Sequence, residues 1–241
     1  MKHVINIIRI ILIIIVSAYG STTGLIVILF TGSTDKGINT AVNVFSKSLF
    51  FVCGAKLEKY GNRDIEKSPG KIYISNHESH LDPPAVSLAC PHPLYYIAKK
   101  ELKYVPFIGW YIWLTGMIFI DRKNKSKSQE SIRLAGVKVK NGKNVISFAE
   151  GTRSKTGELM PFKRGAFKMA KTHGLDIVPV GILGTRDIMA AGSMTIHSGK
   201  TIKVNIGEVL SAEEHADLSL EELSKLTREK VKELIEELKN K

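Results

Sequence analysis

Several residue types and motifs that mark common protein classes are scarce or absent in this chain of 241 residues. Cysteine occurs twice, as Cys53 and Cys90, in neither a C-x-x-C nor a Cys/His zinc arrangement. This scarcity excludes a disulfide framework and indicates a reducing compartment. No G-x-S-x-G or H-E-x-x-H sequence occurs, so neither a serine-hydrolase elbow nor a zinc-protease helix is indicated.

Acidic residues are also under-represented, with 23 Asp and Glu against 35 Lys and Arg, which gives a formal net charge of +12. A basic chain is expected to meet phosphorylated substrates, anionic lipid headgroups, nucleic acid or an acidic carrier protein. Aromatic residues are not interleaved with the lysines of the basic stretch 123–143, so a nucleic-acid stacking surface is not indicated. We therefore expect anionic membrane lipid, and no nucleic acid, as a partner.

The N-terminal segment is almost free of charge. Between Val4 and Phe30 the only charged residue is Arg9, and the run is long enough to span a bilayer. Apolar residues then recur at helical spacing from Ile38 to Val52, which predicts an amphipathic helix. A transmembrane anchor followed by an ordinary helix and a helical hairpin in one leaflet both fit this pattern. We expect residues 1–54 to form membrane-anchoring helices.

Residues 55–241 alternate between short β-rich runs and helical patterns, which predicts an α/β domain with a central mixed or parallel sheet flanked by helices. The expected strands are Lys71–Ser75, Leu94–Ala98, Met117–Ile120, Asn144–Ala149, Ile177–Gly181 and Thr201–Ile206. The expected helices are Pro83–Ala89, Ser126–Lys140, Gly165–His173 and Ser219–Lys239, the last with a capping box of Ser219 and Glu222.

The stretch Ile72–Asp82 concentrates polar chemistry where a strand should end. Four mostly β-prone residues are followed by two histidines and two carboxylates, and then by two prolines that exclude a longer strand. Asp82 before proline is a suitable helix N-cap. On the intervening loop, the Asp82 carboxylate can hold the His77 imidazole as a general base. A solvated loop histidine is the alternative reading of this spacing.

Two further blocks carry possible anion ligands. Lys100 and Arg122 flank a segment whose stretch Pro106–Leu114 is dense in aromatic and aliphatic residues, suited to the core, an acyl pocket or the membrane interface. The Glu-Gly-Thr-Arg sequence at 150–153 combines a carboxylate, a glycine turn, a hydroxyl and a guanidinium, as binding of a phosphorylated alcohol requires. Taken alone, each block also fits surface ion pairs.

These blocks and Val178-Pro-Val180 occur in the order and rough spacing of the glycerolipid acyltransferases. The chain resembles the bacterial 1-acyl-sn-glycerol-3-phosphate acyltransferase family over about Ala55 to Gly207. Ala149 departs from the pattern, because the family usually has proline before Glu-Gly-Thr-Arg.

The resemblance implies a glycerol-3-phosphate acyltransferase-like fold and transfer of an acyl group from a thioester to the 2-hydroxyl of lysophosphatidic acid, making phosphatidic acid. It implies His77 as the base and Asp82 as its orienting carboxylate. The acceptor-binding residues implied are Glu150, Gly151, Thr152 and Arg153, with Arg122 and Lys100 as further phosphate ligands. No metal or other cofactor is expected, and acyl-CoA or acyl-acyl carrier protein is the co-substrate. The expected location is the inner (cytoplasmic) membrane, with the catalytic domain on its cytoplasmic side.

Other functions remain open from the residues alone. An acyltransferase of the same family for glycerol 3-phosphate or another lysophospholipid would share these motifs. His77, His80, Asp82 and His92 are candidate ligands of a metal-dependent hydrolase. A basic, membrane-tethered anion-binding module would explain the charge without catalysis.

Overall fold

Seven strands form one mixed sheet in the computed structural model, which describes residues 2–66, 70–121 and 123–241. The strands are β1 Lys56–Gly61, β2 Ile72–Ser75, β3 Leu94–Lys99, β4 Ile118–Ile120, β5 Asn144–Phe148, β6 Ile177–Leu183 and β7 Thr201–Ile206. The helices are α1 Lys2–Thr31, α2 Thr34–Cys53, α3 Asp82–Ala89, α4 Ile108–Leu114, α5 Lys125–Lys140, α6 Gly165–His173, α7 Thr185–Ile188 and α8 Leu220–Lys239, and a 3-10 helix spans Lys100–Tyr104.

The strand order β1-β7-β6-β2-β5-β3-β4 places β2 in the middle of the sheet, between β6 and β5. From β6 to β4 all neighbouring strands are parallel, and only the β6–β7 pair is antiparallel. The carboxyl ends of β2, β5 and β6 therefore share one edge, where Ser75 is in register with Phe148 and Val180. In open α/β sheets this edge is where ligands bind.

The core occupies both faces of the sheet because helices cover both. Along β2, Ile72 and Ile74 contribute to one cluster and Tyr73 to the other, as the two-residue period of a strand requires. A strand buried on both faces reads as a continuous apolar run, which is why β2 shows no polar alternation. The predicted α/β fold with a helix-flanked sheet and an apolar N-terminal helix is confirmed.

The first two helices form an antiparallel hairpin whose contact surface includes the glycines Gly20, Gly24 and Gly37. A Cβ atom added at Gly24 of α1 would lie 2.7 Å from Ala41 Cβ and 2.9 Å from Gly37 O of α2. Helix α2 is itself part of the core, with Ile38 and Leu49 buried. Helix α1 is long and apolar enough to cross a membrane, and most of its apolar side chains are exposed.

Predicted element boundaries agree with the structure to within one or two residues for most elements, and four short elements were not predicted: β1, α4, α7 and the 3-10 helix Lys100–Tyr104. Strand β1 lies at the sheet edge, and its sequence is polar and mostly exposed. It therefore has no apolar pattern from which a strand could be predicted. Helices α4 and α7 are only 7 and 4 residues long, too short for a helical period to develop. The capping box of Ser219 and Glu222 is present at the start of α8.

Candidate active site

The loop between β2 and α3 starts with a fixed backbone. The side chain of Asn76 donates to Ile182 O at 2.9 Å and accepts from Ile182 N at 2.9 Å, so its amide imitates one more residue pair of the β2–β6 ladder. Asn76 is buried, and both bonds are made in the interior. This pairing sets the point from which the following residue, His77, leaves the sheet.

His77 and Asp82 are brought together as the sequence predicts. His77 Nδ1 lies 2.7 Å from Asp82 Oδ2, and the Asp82 carboxylate is fully buried. The same oxygen accepts from the backbone N–H groups of Glu78 at 2.6 Å and Ser79 at 2.8 Å. Three donors therefore fix one carboxylate oxygen, and the carboxylate fixes the imidazole.

The predicted N-cap role of Asp82 is wrong. Leu81 is the N-cap residue of α3, with helical φ and ψ of −83° and −10°, and Asp82 is the first residue of the helix. Its carboxylate turns back to the loop because the donors of His77, Glu78 and Ser79 converge there. The start of α3 therefore fixes where the Asp82 carboxylate lies, and the carboxylate binds donors of the preceding loop instead of capping the helix.

Residues of the β5 side hold His77 on its ring and on its backbone. Phe148, the last residue of β5, stacks on the imidazole with ring centroids 4.2 Å apart. His77 N donates to Glu150 Oε1 at 2.6 Å, and Ser154 N donates to His77 O at 2.7 Å. The candidate base is consequently clamped to the loop that follows the neighbouring strand.

Glu150 lies with its carboxylate turned into the protein. It is 3% exposed, and its second oxygen accepts from Met160 N at 3.0 Å. Burial raises the pKa of this carboxyl above its ordinary value, while the backbone bonds from His77 and Met160 act in the opposite direction. Both oxygens thus serve backbone donors, one of which belongs to the candidate base.

The rest of the Glu-Gly-Thr-Arg block forms a turn that carries a cation. Gly151 has a φ of +73°, a left-handed conformation that favours glycine, and its Cα faces the Lys163 side chain. Thr152 is exposed. Arg153 is partly buried, and its Nη1 is inaccessible to solvent and has no hydrogen-bond partner within the described residues. A guanidinium group is a suitable ligand for an anion, although this nitrogen is not reached by solvent here.

The two remaining phosphate candidates have different positions. Lys100 Nζ lies 2.7 Å from Asp121 Oδ2, and the Lys100 side chain is 43% exposed. It starts the 3-10 helix directly after β3, so it lies at the same sheet edge as His77. Arg122 lies outside the described residues.

Glu78 and Arg186 are site neighbours to which the sequence reasoning assigned no role. Glu78 is 8% exposed, and burial together with the charges of Asp82 and Glu150 raises its pKa to about 7, against an opposing effect of Arg186. Arg186, in α7 after β6, donates to Lys155 O at 3.1 Å. The position of Arg186 just past the carboxyl end of a parallel strand was the only sequence signal for it.

A cleft of about 290 Å³ adjoins this arrangement on the β5 side. It lies between the sheet and helices α5 and α6, and it reaches Phe148 and Gly151. Its apolar lining includes Ile97, Ile120, Ile132, Ile146 and Met169. The aromatic residues of the stretch 106–114 do not line it.

Side chains invoked for other functions have structural partners. Ser79 Oγ donates to Met189 O at 2.6 Å, so it is not paired with a histidine as a serine nucleophile would be. His92 Nε2 lies 2.6 Å from the Ile65 carbonyl oxygen. In the part of the chain that the structure describes, no group of three or more His, Cys, Asp or Glu side chains is arranged to hold a metal ion.

Comparisons with known proteins give matches to acyltransferases. The chain matches the acyltransferase family over residues 56–183. It is 34% identical over 178 residues to the 1-acyl-sn-glycerol-3-phosphate acyltransferase of Escherichia coli strain K12, an alignment that covers 73% of this chain and 72% of that protein. The Saccharomyces cerevisiae protein of the same name is 37% identical over 140 residues, which cover 57% of this chain and 46% of that protein.

A solved structure extends the similarity to the whole chain. The crystal structure of the 1-acyl-sn-glycerophosphate (LPA) acyltransferase PlsC from Thermotoga maritima matches with a TM-score of 0.84 at 27% identity. The match covers 100% of this chain and 97% of that chain. The similarity therefore includes the N-terminal helices as well as the sheet.

Proposed function

This chain belongs to the acyltransferase family, and we propose that His77 and Asp82 catalyse its acyl transfer from a thioester to the 2-hydroxyl of 1-acyl-sn-glycerol 3-phosphate. The product is phosphatidic acid, so the protein is an enzyme of phospholipid synthesis. The observation that carries the catalytic assignment is the 2.7 Å contact between His77 Nδ1 and the buried Asp82 carboxylate.

The reaction needs one base that later acts as an acid. His77 Nε2 removes the proton of the acceptor hydroxyl while the oxygen attacks the thioester carbonyl. The tetrahedral intermediate then expels the thiolate, which takes the proton back from the imidazolium, so atoms and charge balance. Asp82 holds the tautomer in which Nε2 is the acceptor and stabilises the imidazolium. A positioned base contributes about 10²–10⁴ in rate, and alignment of the two substrates adds to it.

In this proposal the acceptor phosphate is bound by the Glu-Gly-Thr-Arg turn. Arg153 supplies the charge, Thr152 a hydroxyl, and Gly151 allows close approach of the backbone. Lys100 and Arg122 are further phosphate ligands in this proposal. Glu150 contributes through the His77 backbone and not as a direct ligand, because both its oxygens accept backbone hydrogen bonds.

The acyl chain of the donor fits the apolar cleft on the β5 side. The cleft reaches Phe148, which stacks on the imidazole, so a chain lying in it brings the thioester carbonyl close to His77. A thioester is already activated, and the reaction therefore requires neither a covalent enzyme nucleophile nor a cofactor. Either acyl-CoA or acyl-acyl carrier protein serves as donor, since both are acidic and the chain carries +12.

The protein associates with the membrane through its apolar N-terminal helix. We assign residues 1–54 to anchoring and residues 55–241 to catalysis, at the cytoplasmic face of the inner membrane. The reducing compartment that the two free cysteines favour is consistent with that face.

Contacts of α1 support insertion into one leaflet. Asn6 pairs with the backbone of Met194 and Ile196 at 2.9 Å, and a Cβ at Gly24 would lie 3.2 Å from the Tyr111 ring. Eighteen helical residues separate Asn6 and Gly24, or about 27 Å, close to the thickness of a bilayer core. A helix that touches the folded domain along such a length supports a position beside the domain over a crossing of the membrane away from it.

Acyl transfer by the purified full chain tests the catalytic assignment. We expect transfer to 1-acyl-sn-glycerol 3-phosphate, and a fall of about 10²–10⁴ in kcat for His77→Gln and Asp82→Asn. His197→Gln, which changes an exposed histidine, is the matched control. Unchanged turnover in the first two variants would contradict the roles of His77 and Asp82. A wild type that prefers glycerol 3-phosphate in an acceptor panel would contradict the assigned acceptor.

A further inference from the structure

A cluster of large apolar side chains is exposed on the segment between β3 and β4. Trp113 is 70% exposed, Tyr104 75% and Trp110 55%. We call this cluster the aromatic patch; its members are Leu102, Tyr104, Val105, Phe107, Trp110, Trp113 and Leu114. Contiguous apolar surface of this kind marks an interaction site on a folded domain.

The backbone of the patch is built to turn aromatic rings outward. Phe107 has a φ of 62° and ψ of −53°, and among the described residues it is the only non-glycine residue with a positive φ. This unfavourable conformation starts α4, and the Phe107 ring then packs edge-on against Trp110 with centroids 5.4 Å apart. On the other side of α4, Ile112 is buried in the core. The exposed rings are therefore held in place by a buried helix face.

The patch continues the membrane-facing surface of α1. Helix α4 packs against α1, where Tyr111 lies beside Gly24. The outer side of α1 is apolar and exposed, up to Leu29 at 80% and Phe30 at 82%. Two neighbouring apolar surfaces are best covered by the same solvent, the lipid.

Charge beside the patch also matches a lipid surface. Lys103 Nζ lies 4.7 Å from the centroid of the Tyr104 ring, and Lys99 is exposed nearby. Tryptophan and tyrosine concentrate at the level of lipid headgroups, and lysines beside them attract anionic lipids.

We propose that the aromatic patch is a second lipid-contacting surface, which inserts at the headgroup level of an anionic bilayer beside α1. The 3-10 helix that carries Tyr104 leaves the carboxyl end of β3, at the sheet edge that also carries His77. Insertion of the patch turns that edge toward the lipid, so that an acceptor reaches His77 without leaving the membrane surface. The proposal rests on the membrane association of the chain and not on the catalytic assignment.

The chain carries its own reporter, because Trp110 and Trp113 are its two tryptophans. The full protein is reconstituted into vesicles of phosphatidylethanolamine and phosphatidylglycerol, with or without bromine on the acyl chains near the headgroup. We expect a blue-shifted emission that brominated lipid quenches strongly and aqueous acrylamide quenches weakly. Trp110→Phe and Trp113→Phe assign the signal to each ring.

The matched control moves the reporter away from the patch. In a chain with Trp110→Phe and Trp113→Phe, Leu226→Trp places a tryptophan on α8, at a site that is 37% exposed. This emission should be quenched by acrylamide and not by brominated lipid. The His77→Gln variant should behave as the native chain does, which separates this test from catalysis.

Two results would overturn the proposal. Native emission that stays red-shifted and acrylamide-sensitive in vesicles would show that water covers the patch. Blue-shifted emission that brominated lipid does not quench would show that another protein surface, such as a second copy of the chain, covers it.

Discussion

His77 is held by more bonds than its side chain alone suggests. Its ring contacts Asp82 and Phe148, its N–H donates to Glu150, and its carbonyl accepts from Ser154. A base whose position is fixed before substrate arrives needs little reorganisation during the reaction. The loop after β2 and the loop after β5 thus both position His77. Substitutions in either loop are therefore expected to lower kcat.

Glu150 and Arg153 should affect different kinetic constants although they are three residues apart. Glu150→Gln keeps the size of the side chain but replaces one backbone-accepting oxygen by a donor, so we expect kcat to fall about ten-fold or more with little change in KM for the acceptor. Arg153→Gln removes a charge-assisted bond, so KM for the acceptor should rise about ten- to hundred-fold. Steady-state kinetics with varied acceptor measure both. A raised KM with unchanged kcat in Glu150→Gln would identify Glu150 as a ligand instead.

Glu78 should make stability depend on pH. Its ordinary pKa of 4.5 is raised to about 7 in the folded chain, mainly by burial. Between these values the folded state binds more protons than the unfolded state, so stability falls as pH rises and the loss is complete above about pH 7. The full effect is on the order of 3 kcal/mol.

The variant Glu78→Gln removes this titration. We expect it to stabilise the protein at roughly pH 8 and to have little effect at roughly pH 3.5, where Glu78 is mostly protonated in both states. Denaturant unfolding at the two pH values measures the difference. Glu213→Gln, which changes an exposed carboxylate, is the control. Equal stabilisation at both pH values would mean that Glu78 is not a buried titrating group.

At the scale of elements, the close contact between α1 and α2 depends on glycines, which have no side chain to keep the two backbones apart. A Cβ at Gly37 would lie 2.8 Å from Gly24 O, so the two backbones are nearly in contact. Close approach through small residues is the usual way in which apolar helices associate where lipid surrounds them.

Gly24→Val should therefore separate the helix pair. We expect a loss of about 1–3 kcal/mol of stability, since the added atoms would overlap Ala41 and the Gly37 carbonyl. Thermal unfolding in detergent and protease resistance of the α1–α2 segment measure this loss. Ile26→Leu, on the exposed side of α1, should leave both unchanged. A Gly24→Val protein as stable as its parent would show that the helices are not packed through this surface.

At the scale of the whole molecule, the position of α1 beside the domain decides on which side of the membrane the N-terminus lies. The α1–α2 turn stays with the domain, because α2 packs in its core. If α1 lies in one leaflet, the N-terminus and the domain share a side; if α1 spans, they lie on opposite sides. His3→Cys places an exposed thiol near the N-terminus, and Glu213→Cys places one on the domain. The native thiols of Cys53 and Cys90 are buried.

We expect a membrane-impermeant maleimide to label both introduced thiols from the cytoplasmic side. Inverted membrane vesicles expose that side, and intact spheroplasts expose the other. Labelling of His3→Cys in spheroplasts, with Glu213→Cys labelled only in inverted vesicles, would establish a spanning helix and contradict the one-leaflet arrangement.

Local sequence determined much of this protein. Three features can be recognised from a few residues of sequence: the apolar run of α1, the buried run of β2 and the Ser219 capping box. Each depends on burial or capping over a single turn or strand, so a short stretch contains the whole signal. The pairing of His77 and Asp82 was also predictable, since five residues of loop bring them together without the rest of the fold. Strand β1 was not predictable, because only its pairing with β7 makes it a strand.

Only the tertiary structure decided what each polar or aromatic side chain is used for. Asp82 stands in a sequence typical of a helix N-cap, yet its carboxylate binds the N–H donors of the preceding loop and does not cap the helix. Glu150 belongs to a motif that predicts a substrate ligand. Parallel pairing of β2 with β5 instead brings the His77 N–H to the Glu150 carboxylate. The outward rings of Trp110 and Trp113 likewise depend on which face of α4 the core occupies. Such assignments arise from contacts between segments far apart in the chain, which a local pattern does not contain.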